Sequence, residues 1–124
     1  SIVRGTTSAR IVKLLRDAGA REIHVRISAP PFLSPCYYGT DIDSQDLLIA
    51  CHHSLAEIRE LIGADSLGYL PLDRLHELIG TPPGAGFCCA CFSGKYPTAV
   101  PESGRKNRFE QKIGGKAKAR AAEI

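Results

Sequence analysis

Apolar residues recur along this chain at two spacings, and each predicts a different element. Ile11, Leu14, Leu15 and Ala18 fall at i, i+3, i+4 and i+7, one stripe of an amphipathic helix. Thr6 or Thr7 can cap its start, and Gly19 stands where such a helix ends. The run from Glu22 to Ser28 then alternates polar and apolar with β-branched residues, which predicts a strand stopped by Pro30 and Pro31. Residues 46–50 predict a short helix. Ser54-Leu55-Ala56-Glu57 has the capping-box pattern, and Ile58, Leu61 and Ile62 carry an apolar face on to Gly63. Residues 66–70 predict a second short strand. Pro71 can open a last helix, with Leu72, Leu75, Leu78 and Ile79 inward and Gly80 as its stop. Helix, strand, helices and strand make an α/β chain containing half of a βαβ unit. Two short strands leave sheet edges unpaired, so the chain reads as a fragment, with a further strand expected before Ser1.

Composition narrows the classes. The 124 residues suffice for one small domain with a working core. No apolar run reaches the roughly 18–20 residues a membrane-crossing helix needs, and no basic–apolar–small leader opens the chain. The net charge of +3 is unevenly spread. Residues 101–124 hold seven Lys/Arg against three Asp/Glu, a balance of +4, so residues 1–100 sum to −1. That basic tail reads as a solvated, disordered end. It has no aromatic interleaving beyond Phe109, which argues against a stacking surface for nucleic acid. The domain expectation is therefore a folded part over 1–80, a linker and cysteine segment over 81–100, and a disordered tail over 101–124.

Two stretches carry chemistry. In Ser1-Ile2-Val3-Arg4-Gly5-Thr6-Thr7-Ser8, a glycine flanked by hydroxyls sits at a predicted helix start. Glycine lets a ligand approach the backbone, and the first amides of a helix point outward without partners. Arg4 adds charge. The pattern suits a phosphate, although such a turn is more often just a well-capped helix.

The second stretch is "FCCACFSGKYP", with three of the five cysteines within four positions. An odd, clustered set without a leader does not suit a secreted disulfide framework. It favours a reducing compartment, the cytoplasm. Cys88 and Cys91 form C-x-x-C, which lets one turn present two sulfurs to a zinc ion or an iron–sulfur cluster. Cys36, in a rigid Pro-Cys-aromatic loop, is the third candidate. Cys51-His52-His53 offers an alternative in which either histidine completes a zinc site with Cys36, Cys88 and Cys91. Cys89 reads as a bystander, and His24 and His76 as ordinary surface or packed residues.

The segment "SIVRGTTS" resembles the second half of the phosphoribosyl-pyrophosphate (PRPP) signature of type I phosphoribosyltransferases, in the form found in the amidophosphoribosyltransferase family. The resemblance continues through "LRDAGAREIHVRISAPP", "PCYYGTDI", "HSLAEIRELIGADSLGYL" and "CFSGKYP". It implies the C-terminal part of a Rossmann-like phosphoribosyltransferase domain, followed by a helical, cysteine-bearing segment. It implies that Arg4, Gly5, Thr6 and Thr7 hold the 5-phosphate of PRPP, with Ser1 beside an aspartate pair that precedes this chain and holds magnesium. It also implies that Cys36, Cys88 and Cys91 are ligands of a 4Fe–4S cluster whose fourth cysteine lies upstream. The family reaction takes PRPP and glutamine to 5-phosphoribosylamine, the first step of purine synthesis. Its enzymes are homo-oligomers inhibited by purine nucleotides. The fragment alone is expected to be inactive. The competing readings are a zinc-binding interaction module and a regulatory, non-catalytic phosphoribosyltransferase relative.

Overall fold

The structure, a computed structural model, describes residues 1–42, 44–81 and 86–100. The tail 101–124, expected to be disordered, and the centre of the Pro/Gly linker lie outside the described residues. In chain order the elements are α1 (Thr6–Asp17), β1 (His24–Ile27), a 3-10 turn (Gln45–Leu47), α2 (Ile49–His52), α3 (Leu55–Ile62), β2 (Ser66–Tyr69), α4 (Leu72–Ile79) and α5 (Ala90–Ser93).

β1 and β2 pair in parallel, from His24 opposite Ser66 to Ile27 opposite Tyr69. Parallel neighbours need a long crossover, and here α2 and α3 supply it. Asp65 fixes the register just ahead of β2. Its carboxylate accepts from the Ile23 amide at 2.6 Å and from the Arg16 guanidinium at the end of α1. The Asp65 backbone amide donates to the Ile23 carbonyl at 2.9 Å. These bonds hold the Asp65 carboxyl below its ordinary value, chiefly through the Ile23 amide, with Arg16 adding to it.

The core gathers Ile2, Val12, Ile23, Ile58, Ile62, Ala64 and Leu67. α3 keeps its predicted start: Ser54 and Glu57 form the capping box, and Gly63 ends the helix at φ +75°. Of its apolar face, Ile58 and Ile62 are buried, but Leu61 is 55 % exposed.

α1 differs more from the sequence expectation. Its N-cap is Gly5, with no side-chain cap bond, so Thr6 and Thr7 lie inside the helix. The stripe of Ile11, Leu14 and Leu15 faces out, and Val12 is the residue driven into the core. α1 meets α3 along its Ala9–Val12 side. The hydrophobic stripe records an apolar face without recording which neighbour is available to cover it. α4 shows the same effect. Leu78 and Ile79 are exposed, and the buried residue is His76. The expected helix over 46–50 divides at Leu48, whose extended backbone (φ −82°, ψ 112°) separates the 3-10 turn from α2.

Candidate functional site

The N-terminal segment is seated before it is shaped. Ile2 is 2 % exposed and anchors the chain in the core, while Ser1 and Arg4 on either side face solvent. Gly5 then turns through φ +85°, ψ −19°, a left-handed conformation that costs a residue with a Cβ about 1–2 kcal/mol. The turn opens directly into α1. The first helical bond runs from the Ala9 amide to the Gly5 carbonyl at 2.9 Å, so the amides of Thr6, Thr7 and Ser8 precede it at the positive end of the helix dipole. Residues 1–8 together with Asp41 surround an open cleft of about 350 Å³. The sequence-predicted residues Ser1, Arg4, Gly5, Thr6 and Thr7 thus line one cleft. Asp41 was not singled out from the sequence. It reaches the cleft through the loop that follows Tyr38 and Gly39, a contact across the fold that no local pattern encodes.

A second, adjoining cavity of about 450 Å³ shares Arg4, Gly5 and Thr6 with that cleft and is further lined by Asp46, Ile49, His52 and His53 among others. The histidines raised as zinc ligands therefore line this second cavity. Cys51, next to them, donates its thiol to the Leu33 carbonyl at 3.3 Å, and burial pushes that thiol up.

The loop carrying Cys36 meets the segment carrying Cys91 through aromatic and backbone contacts. The amides of Leu33 and Ser34 donate to the Cys91 carbonyl at 2.9 and 3.0 Å. Phe32 stacks on Phe92 with ring centres 5.0 Å apart, and Tyr37 meets Tyr96 edge-on at 5.3 Å. The Tyr96 hydroxyl donates to the Pro35 carbonyl at 2.7 Å. The loop carrying Cys36 is thereby zipped along the segment carrying Cys91. Burial pushes the Cys91 thiol up, and the neighbouring Cys36, Cys88 and Cys89 sulfurs push it further.

Cys88 is exposed at the edge of this group. A single zinc ion would need sulfurs about 3.8 Å apart, from a tetrahedron of 2.3 Å bonds. Among the described residues no three His, Cys, Asp or Glu side chains are arranged to hold one metal ion. Cys89 is turned to a different partner, with its sulfur 3.9 Å from Nε2 of the buried His76. The sequence marked neither residue.

No family model matches the chain. It is 54 % identical over 113 residues to the amidophosphoribosyltransferase of Synechococcus elongatus, covering 88 % of this chain and 22 % of that protein. It is 54 % identical over 102 residues to the chloroplastic amidophosphoribosyltransferase of Glycine max, covering 82 % of this chain and 18 % of that protein. Among solved structures it superimposes with a TM-score of 0.75 and 52 % identity on a glutamine PRPP amidotransferase from B. subtilis complexed with ADP and GMP. That match covers 82 % of this chain and 23 % of the other. The mixed α/β arrangement with parallel strands is common to both. The chain spans about a fifth of the length of the curated relatives it matches.

Proposed function

We propose that this chain is the part of an amidophosphoribosyltransferase that grips the sugar phosphate of PRPP, within an enzyme making 5-phosphoribosylamine at the first step of purine synthesis. The observation that carries this is identity above one half to proteins of that name, over more than four-fifths of the chain. The cleft supplies the physical reason. Arg4, the left-handed turn at Gly5, Thr6 and Thr7 line one cleft together with Ser1, and a helix N-terminus with hydroxyls and a guanidinium suits a phosphate dianion. Fixing that phosphate orients the ribose. In the reaction the bond from the anomeric carbon to pyrophosphate breaks, the electron pair leaving with pyrophosphate. Ammonia derived from glutamine forms the new carbon–nitrogen bond and gives up a proton. Holding the charged end of the substrate still is how binding energy lowers such a barrier. Magnesium, bound to pyrophosphate, is expected to be held mainly by residues outside this chain.

We propose a 4Fe–4S cluster in place of zinc, supported by the C-x-x-C of Cys88 and Cys91 and by the packing of the Cys36 loop along the Cys91 segment. Cys36, Cys88 and Cys91 would hold it, with a fourth thiolate from the rest of the protein. Its chemistry would be structural, tying the Cys36 loop to the α5 segment and contributing folding free energy. Inhibition by purine nucleotides, assembly of identical subunits and a cytoplasmic location belong to the same reading. No described helix is long and apolar enough to cross a membrane.

The test uses the complete protein, purified without oxygen. PRPP- and glutamine-dependent pyrophosphate release, with iron and acid-labile sulfide present, is expected. Cys36→Ser, Cys88→Ser and Cys91→Ser should each lose the brown chromophore, while Cys89→Ser should keep it. A colourless zinc protein without pyrophosphate release would overturn the reading in favour of an interaction module. PRPP binding without turnover would favour the regulatory relative.

A further inference from the structure

We propose that Ile49 is a positioning residue for PRPP, acting through the phosphate-binding turn; this rests on the reading of that turn given above. Two independent contacts join Ile49 to the turn. Its backbone amide donates to the Val3 carbonyl at 2.9 Å. Its Cδ1 lies so close under Gly5 that a Cβ placed there would sit 2.8 Å away. The turn therefore rests directly on this side chain, and only a glycine fits between. Ile49 lines the adjoining cavity and not the cleft formed by residues 1–8 and Asp41, so its influence on a ligand in that cleft passes through the backbone of residues 3–5.

The seat is itself held. α2 is a single helical turn, too short to be stable alone. Ile49 packs against the core cluster. The Cys51 thiol ties the same turn to the Leu33 carbonyl, and the Leu33 amide is bonded to Cys91. Val3 and Gly5 are thus fixed by a strut braced at both ends. Glycine reaches positive φ at no steric cost, so with its seat removed the turn is free to sample other conformations. Its amides would then swing away from the phosphate without the loss of any group that touches the substrate.

The experiment is a steady-state comparison on the complete protein. Ile49→Ala should raise the KM for PRPP by about tenfold, and Ile49→Val, which removes only Cδ1, by about threefold. The KM for glutamine and kcat at saturating PRPP should stay within about twofold of the parent. A merely structural role would lower the active fraction and leave both KM values alone, or move them together; either result overturns the proposal. If Ile49→Ala does not fold, Ile49→Val reads the same effect at smaller amplitude. Arg4→Ala separates the two levels. If it weakens PRPP binding while neither Ile49 variant does, the positioning role is wrong and the phosphate turn stands. If Arg4→Ala leaves PRPP saturation unchanged, the turn has been misread and the role of Ile49 falls with it.

Discussion

Replacing Gly5 by alanine puts the phosphate-turn reading at risk, and the structure sets its size. Two costs add. At φ +85° a residue with a Cβ is less stable by about 1–2 kcal/mol. The new Cβ would also lie 2.8 Å from Cδ1 of Ile49, well inside the ~3.5–4.0 Å optimum for carbon atoms. Ile49 packs against the core, so turning it off its rotamer costs about 0.5–1.5 kcal/mol. Together these reach roughly 1.5–3.5 kcal/mol. The chain escapes most cheaply by abandoning the left-handed turn, which misdirects the amides of Thr6 and Thr7. If that energy is lost from binding, PRPP affinity falls roughly 12- to 300-fold. Gly19 is the control. Its φ is +96°, but a Cβ there meets nothing within 4 Å. Gly19→Ala therefore carries the strain alone and should lower thermal stability without changing PRPP affinity. The assay is PRPP saturation of the complete protein, paired with thermal unfolding of each variant. If Gly5→Ala binds PRPP within about threefold of the parent, or if both variants weaken it equally, the turn does not hold the phosphate.

Within α3, Ile58→Ala should destabilise the fold by about 2–5 kcal/mol, because the residue is 2 % exposed in the core. Leu61→Ala, one turn on and half exposed, should stay within about 0.5 kcal/mol in urea unfolding of the 124-residue chain; equal midpoints would refute the packing described for this helix. Asp65 predicts a pH dependence. Its folded-state carboxyl lies below the ordinary value, so its contribution is present above the unfolded-state value near 3.8 and is lost as pH falls through the lower folded value. Asp65→Asn should flatten that acid limb of a stability–pH curve, and an unchanged acid limb would remove the Ile23 and Arg16 contacts from the account.

Local signals were legible wherever the physics is local. The Ser54–Glu57 capping box, the stops at Gly63 and Gly80, and the strand at His24–Ile27 depend on neighbours within a turn or a few residues. The faces of α1 and α4 were misjudged for the opposite reason. Hydrophobic periodicity marks an apolar stripe, but burial depends on which surface folds against it. Val12 and His76 are buried by packing that no spacing announces. His76 shows this most plainly: it lies on a polar-looking stretch, yet it is buried beside Cys89 with its Nδ1 lacking a partner among the described residues.

The candidate site divides along the same line. Sequence alone determined that a glycine and hydroxyl-bearing turn opens a helix, and that C-x-x-C offers two sulfurs from one short segment, because both are properties of contiguous residues. Only the tertiary structure decided that Asp41 enters the cleft, that Ile49 lies beneath Gly5, and that the Cys36 loop is zipped against Cys91. Those contacts join residues 33 to 58 positions apart in the chain. Their geometry is set by how the β1–β2 crossover returns through α2, a long-range consequence of packing that local sequence does not encode.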